Sequence, residues 1–441
     1  MDGDIYPSKY RDLVDDRPGE NIFRVDRSIY LAKHIYETEL RSIFEADWVF
    51  LCHESQVKYA GDYFAAYLGR QPVFIHRQLD GTLKGFLNAC SHRGALLTPV
   101  GQGNAKTITC RFHGWSYKCD GTCIRIKEEE GGYGPDFDRS KYNLKEIGAI
   151  DVYKGFVFGS LSSEVQSLES FLGQAKHFID FVADQSASGL EVLPGSQKYI
   201  VGGNWKMSTE NAVDGYHTST VHRIFASTVK QREAREGYEG MMRTETGRLA
   251  KKTIRNGCYD LGQGHMVIWA ERDPISSSPL SEAEERLEET YSTGKVNWML
   301  RRGRNLIIFP SLMINDFAAT QIRTFRPISA DETEITIYCL APSEESEAAR
   351  FARLRKFEDF FMASGMATSD DVTALEATHE GSKARSVRWG EFHRGMGTMV
   401  DGADDFAKEG GFRPHTSNCS WDHETLYYSF YRKWRDKVVS I

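Results

Sequence analysis

The amino-acid sequence predicts an α+β protein, with an antiparallel β domain followed by a domain whose central antiparallel sheet is flanked by helices. Between residues 48 and 160, short β-rich runs are interrupted by the turn dipeptides Asp80-Gly81 and Asp120-Gly121, which favour tight hairpins. Beyond residue 160, strand-like and helix-like segments are mixed, which fits an α+β domain best. A length of 441 residues agrees with two or three domains.

We expect three regions along the chain. Residues 1–40 form an arm and a helix that pack on the last domain, because Leu31, Ile35, Leu40 and Ile43 recur at roughly helical spacing. The β domain covers residues 41–160. The α+β domain covers residues 161–441.

The last domain is expected to contain several elements and one ambiguous segment. Polar residues 227–300 are interpreted as an insertion or a lid. Phe351, Leu354, Phe357 and Phe361 are expected to form the core face of one helix. The other predicted elements are strands near 190–201, 306–309 and 334–340 and a helix over 205–221.

Composition excludes several classes of protein. The 55 Lys and Arg against 62 Asp and Glu give a net charge of -7, without the basic excess that nucleic-acid binding uses. No apolar run approaches the ~20 residues that span a bilayer, and the acidic N-terminus does not look like a secretion signal. We therefore expect a cytoplasmic protein whose eight cysteines are core residues or metal ligands, not disulfides.

The first chemical motif is C-x-H-x17-C-x2-H, formed by Cys90, His92, Cys110 and His113. Each half follows a strand-like run, so two loop tips of a β domain would bring two thiolates and two imidazoles together. Tetrahedral zinc accepts such donors, but zinc ligands usually come as a Cys pair and a His pair. One Cys and one His per loop matches a Rieske 2Fe-2S centre instead. Cys119 and Cys123 are interpreted as structural.

The second motif contains Asp214, His217 and His222. A spacing of five residues separates two histidines on a regular helix, so their convergence requires a widened turn or a helix end between them. A two-His-one-carboxylate site for non-haem iron needs one more acid. Asp370 and Asp371, at a predicted helix start, are the candidates, although ordinary helix capping also explains acids there.

Together, these motifs resemble the large (alpha) subunit of Rieske non-haem iron aromatic-ring-hydroxylating dioxygenases, over almost the whole chain. The segments that carry the resemblance are NACSHRG, TCRFHGWSY, GNWKMSTENAVDGYHTSTVH and FEDFFMASGMATSDD. AYLGRQPVFI, YKGFVFGSL and QIRTFRPIS resemble the benzoate, toluate and anthranilate 1,2-dioxygenase branch in particular.

The resemblance implies which residues hold the cofactors. Cys90 and Cys110 would hold one cluster iron, and His92 and His113 the other. His217, His222 and Asp371 would hold the mononuclear iron.

The resemblance also implies a role for Asp214 and shows one departure. Asp214 would be the catalytic bridging carboxylate, which links a cluster histidine of one subunit to an iron-ligand histidine of its neighbour in a trimer. Arg111 stands where the family commonly has Pro, and it adds a positive charge beside the cluster.

The resemblance implies cis-dihydroxylation of an aromatic ring with dioxygen, on a benzoate-like or anthranilate-like substrate. No G-x-G-x-x-G fingerprint lies between a strand and a helix. Electrons would therefore come from a separate NAD(P)H-dependent reductase or ferredoxin, and a small beta subunit would complete an α3β3 assembly. The alternatives are action on aniline or salicylate, a monooxygenase or demethylase outcome, and, remotely, a cluster-only electron-transfer protein. No substrate-binding residue is identified.

Overall fold

The protein is described by a computed structural model that covers residues 7–233, 254–272, 278–317, 319–365 and 367–440. The chain divides into two compact units. One consists of Met1–Glu39 together with Glu169–Ile441, and the other of Leu40–Leu168.

The N-terminal arm contains two antiparallel strands, β1 (Val14–Arg17) and β2 (Ile22–Asp26). Its first helix, α1 (Lys33–Glu39), is followed by a π-helical turn over Leu40–Phe44. The hydroxyls of Tyr30 and Tyr431 are 2.7 Å apart. Arg432 donates to Asp16 at 2.7 Å. The described part of the arm therefore packs against the C-terminal helix of its own unit.

The unit of residues 40–168 consists of three small antiparallel sheets, with strand orders β6-β5-β4-β7, β10-β9-β8 and β11-β12-β3. Both predicted Asp-Gly hairpins are present, since Gly81 and Gly121 have φ values of 87° and 88°, which glycine adopts readily. Its helix α2 spans Glu129–Gly132. The strands are β3 (Val49–His53), β4 (Asp62–Leu68), β5 (Gln71–Arg77), β6 (Leu83–Leu87), β7 (Gln102–Asn104), β8 (Thr107–Thr109), β9 (Ser116–Lys118), β10 (Cys123–Arg125), β11 (Ala149–Tyr153) and β12 (Phe156–Ser160).

The other unit is built on an antiparallel sheet that has ten strands among the described residues. Its order is β13-β20-β19-β18-β17-β16-β15-β23-β22, and β14 also pairs with β20. The short β21 pairs with β2 instead. The strands are β13 (Leu190–Val192), β14 (Gln197–Val201), β15 (Asn256–Gly262), β16 (His265–Glu271), β17 (Arg302–Ile308), β18 (Leu312–Asn315), β19 (Gln321–Pro327), β20 (Thr333–Pro342), β21 (Trp389–Glu391), β22 (Val400–Asp401) and β23 (Thr416–Asn418).

Helices accompany this sheet, as expected for the α+β class. In the part of the chain that the structure describes, none is long and apolar enough to cross a membrane. The helices are α3 (Leu168–Leu172), α4 (Lys176–Ala183), α5 (Trp205–Asn211), α6 (Thr218–Val221), α7 (Arg223–Glu233), α8 (Glu284–Thr290), α9 (Thr293–Leu300), α10 (Glu347–Phe361), α11 (Thr368–Ser382), α12 (Asp405–Gly410) and α13 (Tyr427–Val439).

Three expectations about local structure are wrong. The helix predicted over 205–221 breaks into α5 and α6. The described part of 227–300 is not an insertion, because it supplies β15 and β16 to the sheet; residues 234–253 and 273–277 lie outside the described residues. Phe351 does not face the core with Phe357 and Phe361, since it is 61% exposed.

Candidate metal centres

The first centre lies on two loops that are closed by the same hydrogen bonds. The N–H groups of Cys90 and Cys110 donate to the carbonyls five residues later, at 2.9 and 2.7 Å. Their own carbonyls accept from Gly94 and Gly114, at 2.8 and 2.9 Å. Both glycines have positive φ, 75° and 77°, which is why glycine ends each motif. Local sequence thus shapes both loops alike.

The four motif side chains occupy two depths of this unit. Cys90 and Cys110 are buried at 4% and 2% exposure in a core with Trp115 and Tyr117. The half-buried rings of His92 and His113 lie edge to face, with centroids 4.6 Å apart. A group held by all four residues would be covered on the thiolate side and reachable on the imidazole side.

These residues fit an iron-sulfur cluster. Nδ1 of His92 is buried and has no hydrogen-bond partner among the described residues. Burial raises the pKa of the Cys90 thiol, so a thiolate there requires a cation beside it. The Tyr117 hydroxyl lies 3.2 Å from Cys90 Sγ and accepts from the Ser91 N–H at 3.2 Å. Bonds of this kind to a cluster sulfur tune its potential. Sequence reasoning assigned no role to Tyr117.

The second centre starts with one helical turn. His217 precedes α6 and His222 follows it. The helix ends at Val221, before His222. Both rings therefore converge, and their Nε2 atoms lie 3.2 Å apart. Gly215 lets the chain pass close to Trp421 here, because a Cβ at this position would lie 2.6 Å from the carbonyl oxygen of Trp421.

Asp371 reaches the same point from the first turn of α11. Its Oδ1 lies 3.3 Å from His217 Nε2 and 3.2 Å from His222 Nε2. Donors on a single metal ion with bonds of about 2.1 Å are about 3 to 3.4 Å apart. Oδ1 of Asp371 is buried without a well-oriented hydrogen-bond partner among the described residues. The three donors therefore fit one metal ion.

The electrostatics of this triad also favour a cation. Burial lowers the pKa of His217, but the carboxylates of Asp214 and Asp371 outweigh burial and raise it to about 10. Burial raises the pKa of Asp371, but His217 and His222 outweigh burial and lower it to about 2. Positive charge between these donors is strongly stabilised, and a divalent iron supplies it.

Two further acids stand behind the histidines. Asp214 Oδ2 lies 3.2 Å from His217 Nδ1, and its other oxygen accepts from the Tyr216 N–H at 2.7 Å. Asp370 Oδ2 lies 3.9 Å from His222 Nδ1. A carboxylate beside the nitrogen that does not bind the metal fixes the orientation of a ligating imidazole. The 3.2 Å distance of Asp214 suits this role better than the 3.9 Å distance of Asp370.

The triad lines a cavity of about 130 Å³ that lies against one face of the central sheet. One row of directly opposed residues crosses four strands, namely Ile268, Asn305, Asn315 and Gln321. Phe360 and Phe361 at the end of α10 add aromatic surface. The cavity is the size of a single substituted ring, since an apolar cavity of about 150 Å³ binds benzene.

Two family models match this chain. Residues 47–142 match the Rieske [2Fe-2S] domain, and residues 180–440 match the ring hydroxylating alpha subunit (catalytic domain). The chain belongs to the ring-hydroxylating alpha-subunit family. This alpha subunit is an oxidoreductase that uses a Rieske 2Fe-2S cluster and a mononuclear non-haem iron. The predicted fold class, enzyme class and cofactors are confirmed.

Individual relatives cover nearly the whole alpha subunit. It is 38% identical over 429 residues to toluate 1,2-dioxygenase subunit alpha of Pseudomonas putida, covering 97% of this chain and 93% of the relative. It is 36% identical over 434 residues to the anthranilate 1,2-dioxygenase large subunit of Acinetobacter baylyi, covering 97% and 92%. A naphthalene 1,2-dioxygenase structure with indole bound in the active site has a TM-score of 0.82 and 26% identity, covering 97% and 94%.

Proposed function

We propose that this alpha subunit cis-dihydroxylates the ring of a monocyclic aromatic acid of the benzoate or anthranilate type. The observation that carries the proposal is the triad of His217, His222 and Asp371 at the wall of a ring-sized cavity with aromatic and apolar lining. Two relatives named for toluate and anthranilate support the acid class. An anthranilate-type diol would collapse to a catechol with loss of the amine.

In this proposal, each site residue has a defined role. Cys90, His92, Cys110 and His113 hold the cluster, and His217, His222 and Asp371 hold the mononuclear iron. When bound, these groups supply single electrons and activate dioxygen. Oδ2 of Asp214 lies 3.2 Å from Nδ1 of His217, where its charge keeps that ring oriented, while its side chain remains 32% exposed. It can therefore also face a cluster histidine of a neighbouring subunit.

The cavity residues position the ring and exclude water. Phe360 and Phe361 line the cavity together with the sheet residues Ile268 and Met313. A flat ring held against these apolar residues would lie in the cavity that the triad lines, where iron, when bound, would activate dioxygen. Water excluded by the same walls cannot divert the reaction.

The proposal includes an organisation and partners. The β domain covers residues 41–160 and the catalytic domain residues 161–441, with 1–40 as an arm; the two family matches and the two compact units support this division.

A small beta subunit completes an α3β3 assembly, since the relatives are themselves named as subunits. A separate reductase or ferredoxin delivers electrons. The cytoplasm suits eight unpaired cysteines.

The test is reconstitution with the small subunit and a reductase under labelled dioxygen, with benzoate, the toluates, anthranilate, aniline and salicylate as substrates. We expect an aromatic acid to yield a product that carries both labelled oxygen atoms. Incorporation of one atom would favour the monooxygenase or demethylase alternative. Reduction of the cluster without any oxygenated product would favour the electron-transfer alternative.

A further inference from the structure

One cation in the cavity wall has no carboxylate partner within the described ranges of the chain. Arg323 lies on β19, and its Nε is buried without a hydrogen-bond partner among the described residues. Its guanidinium makes one long hydrogen bond, from Nη2 to the Phe361 carbonyl at 3.4 Å. Arg323 itself is half-buried, whereas the fully buried arginines Arg304 and Arg353 are paired, with Asp316 and with Glu345 at 2.6 Å.

A half-buried guanidinium whose Nε is fully covered is costly without a counter-charge, and the cost is relieved when an anion binds beside it. Arg323 faces the cavity, so the space in front of it is where a ligand would lie. Lys356 lines the same cavity but has an interaction of its own. Among the described cations of the cavity, Arg323 is therefore the better anion site.

Gln321 extends this polar surface. It precedes Arg323 by two residues on β19, so both side chains point to the same face of the sheet. Gln321 is fully buried, and neither its Oε1 nor its Nε2 has a hydrogen-bond partner among the described residues. An amide donor next to a guanidinium matches the two oxygens of a carboxylate.

The charge of Arg323 reaches the same part of the cavity as that of the triad. Burial raises the pKa of Tyr199, which also lines the cavity, while Arg323 lowers it and Asp371 raises it. The cavity lining thus combines the cation of Arg323, the triad and apolar side chains such as Phe360 and Ile268. An aromatic acid has the complementary distribution of charge and apolar surface.

We propose that Arg323, assisted by Gln321, binds the carboxylate of the aromatic acid and so selects benzoate-type substrates over neutral rings. This inference rests on the proposed function. A carboxylate held at β19 leaves the ring in the rest of the cavity, which the triad lines. Arg323 is in this account a specificity-determining residue that touches substrate but not the metal.

The test measures anaerobic binding to the metal-loaded enzyme. The probes are benzoate, anthranilate and the neutral isostere nitrobenzene, and the variants are Arg323→Met, Arg323→Lys and Gln321→Leu. Arg326→Met is the matched control, because Arg326 lies on the same strand but pairs with Glu334 at 3.0 Å and does not line the cavity. Iron content and thermal melting identify any variant that misfolds.

We expect Arg323→Met to weaken binding of both acids about 10- to 100-fold, with nitrobenzene binding and the Arg326→Met control unchanged. Arg323→Lys should recover part of the loss, and Gln321→Leu should cause a smaller loss with the charge intact. Unchanged acid binding in Arg323→Met, or an equal loss for acids and nitrobenzene, would overturn the inference. If wild type neither binds nor oxygenates any aromatic acid, the proposed function itself fails.

Discussion

The two proposed metal centres differ in how far apart their candidate ligands lie in the sequence. Cys90, His92, Cys110 and His113 fall within 24 residues on two loops with the same hydrogen bonds and the same glycine conformation. The triad combines a single turn at residues 217–222 with Asp371, which lies about 150 residues further along the chain. The first centre is specified by local structure and the second by the packing of α11 against α6.

This difference determines which structural changes each centre tolerates. A loop that is closed by its own backbone hydrogen bonds should keep its shape when distant packing changes. A triad assembled from separate helices depends on tertiary structure to bring its donor atoms together. Its carboxylate and its two imidazoles also interact strongly with one another. The following predictions, in order of expected effect, test whether the two centres are independent of each other.

The largest effect is expected for Cys110→Ala. Loss of one thiolate should remove the cluster and lower product formation to background, while the triad keeps on the order of one iron per chain. Metal and sulfide analysis of the purified variant measures both centres. Loss of the triad iron as well would show that the centres depend on each other.

Asp371→Ala should abolish mononuclear iron binding and lower turnover by at least about 100-fold, because it removes a donor 3.2 to 3.3 Å from both Nε2 atoms. The matched variant is Asp370→Ala, whose carboxylate lies 3.9 Å from His222 Nδ1 and whose loss should cost about tenfold or less. Iron content after gel filtration distinguishes the two. The reverse order would transfer the ligand role to Asp370.

Asp214→Ala should leave both centres loaded and the cluster reducible, yet lower product formation by about 10- to 100-fold. The reason is that His217 loses the acceptor 3.2 Å from its Nδ1. Stopped-flow reduction of the cluster, followed by single-turnover product analysis, separates electron uptake from its use. Normal single-turnover yield in this variant would refute the orienting role.

The smallest effect is expected for Gly94→Ala and Gly114→Ala. Little stands in the way of a Cβ at either site, the nearest atom being Lys127 Cβ at 3.9 Å from that of residue 114. The cost is therefore backbone strain of about 1 to 2 kcal/mol at positive φ. The temperature of cluster bleaching should fall by roughly 2 to 4 °C per kcal/mol.

Gly101→Ala is the control for the loop variants, because this glycine has open space and no positive φ. Its bleaching temperature should match that of wild type. If all three variants bleach alike, the shared loop conformation has no special part in holding the cluster.

The same contrast explains what could be predicted from the sequence. Spacing within the two loops indicated a cluster, and Asp-Gly dipeptides indicated the hairpins, because both signals are local. Residues alone could not choose between Asp370 and Asp371, since helix capping accounts for either. The break between α5 and α6 could not be predicted, because it coincides with a close contact between Gly215 and Trp421 that only the tertiary structure shows.

Arg323 and Gln321 were missed for a related reason. On β19, polar and apolar residues occur on both faces, so alternation does not reveal which face lines a cavity. What makes these side chains informative is that Nε of Arg323 and both amide atoms of Gln321 lack a partner among the described residues, which is a property of the folded protein. Tyr117 likewise lies within a recognised motif, but its contact with Cys90 Sγ depends on how β9 packs.

The central claim is that one chain carries two independently built iron centres. The most direct measurement is the ratio of iron to acid-labile sulfide, with the paramagnetic signal of the reduced cluster, in wild type, His217→Ala and His222→Ala. We predict about three irons and two sulfides per chain in wild type, and about two of each with an unchanged cluster signal in both variants. An iron content that stays the same, or a cluster signal that disappears with the histidine, would contradict it.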